Sequence, residues 1–127
     1  MNKTKQFLFL FVIGAITLFG FHVSPIHASE KNITIFFNEA CQDCSELVKK
    51  MYPDFFAKYD SELTLKDYLN DRTNRKELNQ MNEKWGVPFS LQSHIETFVD
   101  DRLLIGGHVP MNIVRYLLDN PNSYNKL

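Results

Sequence analysis

Cysteine is scarce in this chain: its 127 residues include only two, and both lie in one Cys-x-x-Cys motif, Cys41 and Cys44. One such pair cannot form the disulfide framework that stabilises many small secreted domains. A bridge that closes so short a loop constrains the unfolded chain little, so it would be a weak structural staple. The pair therefore favours redox exchange, with metal binding and an inert staple as the alternatives.

A basic surface is also missing. The chain has 14 Lys and Arg against 15 Asp and Glu, with a formal net charge of −1 and no basic stripe, so we expect no nucleic-acid partner. Hydrophobic residues make up 44% of the sequence and aromatic residues 13%, which is enough for a packed core and excludes global disorder. The length suits one folded domain.

The first 28 residues have the tripartite order of a secretory signal. Lys3 and Lys5 precede an apolar run over 7–21, and a polar segment with one proline ends at Ala28. The run, about 15 residues, is short for a membrane-spanning helix, which needs roughly 20. We therefore predict a signal peptide over 1–28 and a folded domain over 29–127. An uncleaved N-terminal anchor is the alternative, and in either case the domain is secreted or extracytoplasmic.

Strand and helix patterns alternate along the rest of the chain. A β-branched and aromatic strand over 33–37 leads through a turn into a helix that starts at the cysteines and is interrupted at Pro53. The remaining predicted elements are a strand over 62–69, a helix from Thr73 or Asn74 through Lys84 to a stop at Gly86, a hairpin over 95–105 and a helix over 111–118. The order β-α-β-α-β-β-α predicts an α/β fold with a central four-stranded sheet flanked by helices.

The Cys-x-x-Cys motif lies at the carboxyl end of the first predicted strand, where open α/β sheets usually place their sites. Unpaired N–H groups and the helix dipole at the start of the following helix favour the thiolate form of Cys41. The sequence therefore predicts Cys41 as the nucleophile and Cys44 as the resolving thiol.

The motif and the element order together resemble the thioredoxin-like superfamily over about residues 31–120. Further points of likeness are the segment over 85–88, Trp-Gly-Val-Pro, and the hairpin over 98–107, which is similar to the end hairpin of glutaredoxin-like members. The resemblance implies a thiol–disulfide oxidoreductase that exchanges disulfides with protein thiols. It implies a redox-active disulfide with no organic cofactor, and outside the cytosol a membrane redox protein as partner.

Members of this superfamily carry a cis-proline before the third strand, where it contacts the substrate. We predict Val87 and Pro88 as the substrate-binding residues, with a cis bond between them if the strand starts directly after Pro88. If the strand starts at Ile95, His94 occupies that place instead. Thioredoxins also have a buried acid in the first strand, which this chain lacks, so Glu39, Asp43 or water would have to move the proton of Cys44.

The chain also resembles a small family of metal-binding proteins with a Gly-Val-Pro, Ser-Cys-His and Gly-His-Val-Pro pattern. Here the middle cysteine is absent, which leaves Ser93 and His94. The alternative function is therefore a copper or zinc site made of Cys41, Cys44 and His94, with His108 as the less favoured ligand.

Overall fold

The computed structural model describes residues 31–123, so the predicted signal peptide over 1–28 lies outside the described residues. The first helix, α1, has three parts: an α-helix over Gln42–Glu46, a π-helical segment over Leu47–Met51 and an α-helix over Tyr52–Phe56. The other elements are β1 (Lys31–Phe37), β2 (Ser61–Asp67), α2 (Arg72–Trp85), β3 (Ile95–Val99), β4 (Leu103–Gly106) and α3 (Met111–Asp119). Within residues 31–123 no helix is both long enough and apolar enough to cross a membrane.

The four strands form one mixed, open sheet in the order β2-β1-β3-β4. The β1 and β2 strands are parallel, with Ile33 opposite Leu63, whereas β3 runs antiparallel to both β1 and β4. With three helices among residues 31–123, this α/β architecture confirms the predicted element order and is consistent with a thioredoxin-like fold. The carboxyl ends of β1, β2 and β4 therefore lie at the same edge of the sheet.

Helices cover both faces of the sheet, as the pattern predicts. The first face packs against α1 and α3 in a buried cluster that includes Ile35, Val48 and Val114. The second face packs Phe36 and Phe98 against α2. Because β1 is central and covered on both sides, its segment over 33–37 is apolar except for Thr34 rather than alternating.

The predicted interruption of α1 is present, and its form follows from the proline. Pro53 has no N–H to donate, so it is best placed in the first turn of a helix. The chain restarts its α-helix at Tyr52, with Pro53 in that first turn. The Tyr52 N–H donates to the carbonyl of Leu47, five residues back, which gives the preceding segment its π-helical form.

Two predicted boundaries need correction, the start of the helix α2 and the end of the strand β2. Asp71, rather than Thr73 or Asn74, is the N-cap of α2: its Oδ1 accepts from the backbone N–H groups of Thr73 at 2.7 Å and Asn74 at 3.2 Å. The β2 strand ends at Asp67, two residues before the predicted end. The predicted stop at Gly86 is confirmed, because Gly86 adopts a left-handed conformation (φ 64°) as the C-cap.

Candidate functional site

The end of β1 and the start of α1 place the two cysteines. Cys41 is the N-cap residue of α1, with an extended backbone, and its Sγ accepts from the backbone N–H of Cys44 at 3.3 Å. Cys41 and Cys44 form a disulfide with their Cα atoms 5.2 Å apart. The predicted placement of the motif at the strand-to-helix junction is thus confirmed.

The two sulfur-bearing residues differ in exposure. Cys44 is fully buried, with 0% relative exposure, and belongs to the same core cluster as Val48. Cys41 is partly exposed and packs against the edge of that cluster. An external thiol or disulfide can therefore approach Cys41 but not Cys44. This asymmetry agrees with the predicted roles of nucleophile and resolving thiol, which remain predictions.

A histidine lies against the buried cysteine. The Nε2 atom of His108 is 3.3 Å from the Sγ of Cys44, and the ligand atoms of His108, Cys41 and Cys44 all lie within 4.8 Å of one another. His108 is itself exposed, so its ring connects a buried sulfur with solvent. The sequence interpretation ranked His108 below His94 and missed this contact. The topology brings both histidines to the sheet edge at which β1 ends, because His94 directly precedes the antiparallel β3 and His108 follows β4, so the sheet edge alone does not separate them.

His94 does not belong to this group. Among residues 31–123, the cluster of potential metal ligands at the thiols contains His108 instead. His94 directly precedes β3, and its carbonyl accepts the backbone N–H of Asn38 at 3.1 Å. Its side chain lines a cavity with Tyr68 and Glu96, residues that lie on the α2 side of the sheet. The predicted ligand set of Cys41, Cys44 and His94 is therefore corrected: His108 takes the place of His94.

Of the two alternatives before β3, the one with a cis bond between Val87 and Pro88 is wrong, because the peptide is trans. A 3₁₀ turn over Phe89–Leu91 follows Pro88, so β3 begins only at Ile95 and His94 takes the place before the strand. Val87 is tied to the end of α2 by its N–H, which donates to the carbonyl of Asn82 at 2.9 Å. Contact of Val87 and Pro88 with a substrate remains a prediction.

Glu39, one of the acids proposed to move the proton of Cys44, has its carboxylate engaged by other side chains. The Glu39 carboxylate forms an ion pair with Lys49 and accepts from the Ser45 hydroxyl at 3.3 Å. In the described part of the chain, the side chain of His108 lies within hydrogen-bonding distance of the Cys44 sulfur. It is therefore better placed than Glu39 to exchange a proton with Cys44.

A buried carboxyl group lies on the opposite face of the sheet. Glu96 is only 2% exposed; its Oε1 accepts from the backbone N–H of Ser93 at 3.1 Å, and its Oε2 has no partner among the described residues. Burial raises the pKa of Glu96, although the hydrogen bond from Ser93 and the nearby amide of Asn82, which lies outside hydrogen-bonding geometry, partly oppose this rise. Both polar side-chain atoms of Asn82 are likewise buried without a partner in the described chain.

The site therefore consists of a disulfide with one accessible and one buried sulfur and a histidine at the buried one. It can support thiol–disulfide exchange or, when reduced, coordination of a soft metal ion. No protein-family model, curated protein or solved structure matches this chain.

Proposed function

We propose that this protein is an exported thiol–disulfide oxidoreductase with a thioredoxin-like fold, exchanging disulfides with other proteins through Cys41 and Cys44. The observation that carries the proposal is the Cys41–Cys44 bridge at a strand-to-helix junction, with an accessible first sulfur and a fully buried second one. A bridge that served only as a staple would not need this difference in exposure.

The exchange proceeds in two balanced steps. The Cys41 thiolate attacks one sulfur of a client disulfide, forming a mixed disulfide and releasing the other client sulfur as a thiolate. Cys44 then attacks the Cys41 sulfur, which closes the Cys41–Cys44 bridge and releases the second client thiolate. Two electrons pass from the protein to the client, and the reverse sequence oxidises a client dithiol.

His108 contributes at the second step. The buried Cys44 must lose its proton to attack, and burial of a thiol disfavours the charged form. With Nε2 3.3 Å from the sulfur and its ring exposed, His108 accepts this proton and passes it to solvent. In the oxidising direction it returns the proton to Cys44 as the bridge opens.

The partners follow from the chemistry and from the predicted export. No organic cofactor is needed, because the electrons are carried by the cysteines. Outside the cytosol, a membrane redox protein or another thiol protein would renew the working redox state. Val87 and Pro88 are proposed to border the client, as the resemblance implies.

Trapping of the mixed disulfide tests this function. The full-length Cys44→Ser variant should accumulate a mixed disulfide at Cys41 when mixed with a peptide disulfide, because the resolving thiol is gone. The Cys41→Ser variant should form almost none, because Cys44 is buried. Equal trapping by both variants, or by neither, would refute the assigned roles.

A second function is favoured by one specific observation, the convergence of Cys41, Cys44 and His108 within 4.8 Å. Two thiolates and an imidazole suit zinc or copper(I), with metal–sulfur distances of about 2.3 Å for zinc. The bridge would first have to be reduced, since both sulfurs must be free thiolates.

Metal titration of the reduced protein tests this alternative, with the two histidines as matched variants. If the site binds metal, His108→Ala should weaken zinc or copper(I) binding by about tenfold or more, whereas His94→Ala should leave it unchanged. An equal effect of both variants would contradict the site described here. Unchanged disulfide exchange after exhaustive chelation would favour the redox function.

A further inference from the structure

The four residues between β1 and α1, 38–41, form a loop in which every backbone N–H has a hydrogen-bond acceptor. Asn38 donates to the carbonyl of His94 at 3.1 Å, and Ala40 and Cys41 donate to the side chain and the carbonyl of Asn38 at 2.9 and 3.1 Å. The remaining N–H, that of Glu39, donates to Oδ1 of Asp67 at 3.3 Å. The loop that precedes α1 is therefore hydrogen-bonded both to His94, directly before β3, and to Asp67, the last residue of β2.

Asp67 is well suited to hold this loop because its carboxylate is itself fixed. It is the last residue of β2, opposite Phe37 in the parallel pairing with β1. Its two oxygens also accept from the backbone N–H groups of Leu69 at 2.9 Å and Asn70 at 3.3 Å, and from the Asn70 side chain at 2.7 Å. Partial burial raises the pKa of Asp67, but these hydrogen bonds outweigh it and lower the pKa below its ordinary value.

We propose that Asp67 is a positioning residue for the thiol chemistry, because its carboxylate fixes the loop that sets the Cys41 sulfur against Cys44. This inference rests on the proposed function and assigns a residue that the cysteine motif does not contain. A fixed loop raises the effective concentration of one cysteine at the other, and this favours the closed bridge. Without Asp67, the Glu39 N–H loses its acceptor and the loop gains alternative conformations.

The test compares Asp67→Ala, Asp67→Asn and Asp71→Ala in the full-length, chelator-treated protein. Asp71 is the matched control, because it too accepts two backbone N–H groups at the start of α2 but, within residues 31–123, makes no hydrogen bond to the loop. The readout is the equilibrium constant for closing the Cys41–Cys44 bridge in graded buffers of reduced and oxidised dithiothreitol. Amide hydrogen exchange over 38–41 and thermal unfolding are measured alongside it.

We expect Asp67→Ala to lower the bridge-closing constant by about three- to tenfold, and the upper figure corresponds to a hydrogen bond to a charged acceptor that is made fully only in the bridged form. Exchange of the Glu39 amide should become faster. Asp67→Asn should recover part of the constant, since its Oδ1 can still accept from Glu39. Asp71→Ala should lower thermal stability and leave the constant unchanged.

The inference is overturned if Asp67→Ala keeps the constant within about twofold of the wild type, or if Asp71→Ala lowers it equally. Failure of the proposed function has a different signature. A wild-type protein that equilibrates with dithiothreitol, and forms no mixed disulfide with peptide or protein disulfides, refutes the oxidoreductase. In that case an Asp67 effect on the constant still confirms the positioning role.

Discussion

Replacing His108 tests the role of the histidine at the buried thiol. We consider His108→Gln, which removes the basic imidazole and keeps a polar side chain of similar reach, and His94→Gln as the matched control. Both histidines lie next to the thiol loop, but only His108 contacts the Cys44 sulfur, through Nε2 at 3.3 Å. His94 contacts the loop through its backbone carbonyl, which the substitution retains.

The expected magnitude follows from this contact. A hydrogen bond to a charged group contributes about 1.5–3 kcal/mol, and each 1.4 kcal/mol corresponds to about a tenfold change. Because the contact supports the thiolate of Cys44 during attack, its loss should slow resolution of the mixed disulfide by about 10- to 100-fold. The attack of Cys41 on the client should change much less, because it precedes the deprotonation of Cys44.

Rapid-mixing kinetics with a chromogenic disulfide separate the two steps. The first step releases one chromophoric thiolate on attack by Cys41, and the second releases another when Cys44 resolves the intermediate. His108→Gln should retain the first phase and slow the second, whereas His94→Gln should retain both. If His108→Gln resolves the intermediate at the wild-type rate, the proton role of His108 is wrong.

Three further predictions concern stability and local geometry. Glu96→Gln should stabilise the protein by about 1 kcal/mol at pH 7, because the new amide can pair with the buried oxygen of Asn82. Since burial raises the pKa of Glu96 above its ordinary value, the contribution of the protonated Glu96 to stability is lost as pH rises through its folded-state pKa. Urea unfolding should therefore show a smaller advantage of the variant at pH 4 than at pH 7. Gly107→Ala should cost about 1 kcal/mol in thermal unfolding, because Gly107 has φ 85° and a Cβ would lie 3.4 Å from the Ser93 hydroxyl; an unchanged melting temperature would contradict this strain. Val48→Ala should destabilise the fold by roughly 2 kcal/mol in urea, because Val48 is fully buried beside Cys44, and a cost near zero would show that the core relaxes around the gap.

The order of strands and helices along the chain and the position of the cysteines were predictable because local signals agree there. The apolar run over 33–37 ends in turn residues, and Gly86 stops α2 by a local conformational preference that the sequence exposes. The alternation of strands and helices also predicted a sheet with helices on both faces. These features depend on residues close together in the chain.

The identity of the histidine at the thiols was not predictable from the local pattern. His94 and His108 both follow turn-rich segments, and only the pairing of β4 with β3 brings the residues after β4 back to the cysteines. The place before β3 is decided locally, because the 3₁₀ turn over Phe89–Leu91 delays the start of the strand to Ile95. A contact between distant segments therefore selects the histidine, whereas a short local turn sets where β3 begins.

The most direct test of the central claim is the redox equilibrium of the full-length, chelator-treated protein in graded thiol–disulfide buffers, read by mass-tagging of Cys41 and Cys44. The account predicts reversible cycling between a fully reduced and a fully bridged pair. A midpoint near −270 mV would identify a reductase, and one near about −120 mV an oxidase. A pair that stays bridged or stays reduced across the whole buffer range would contradict the claim that this protein exchanges disulfides.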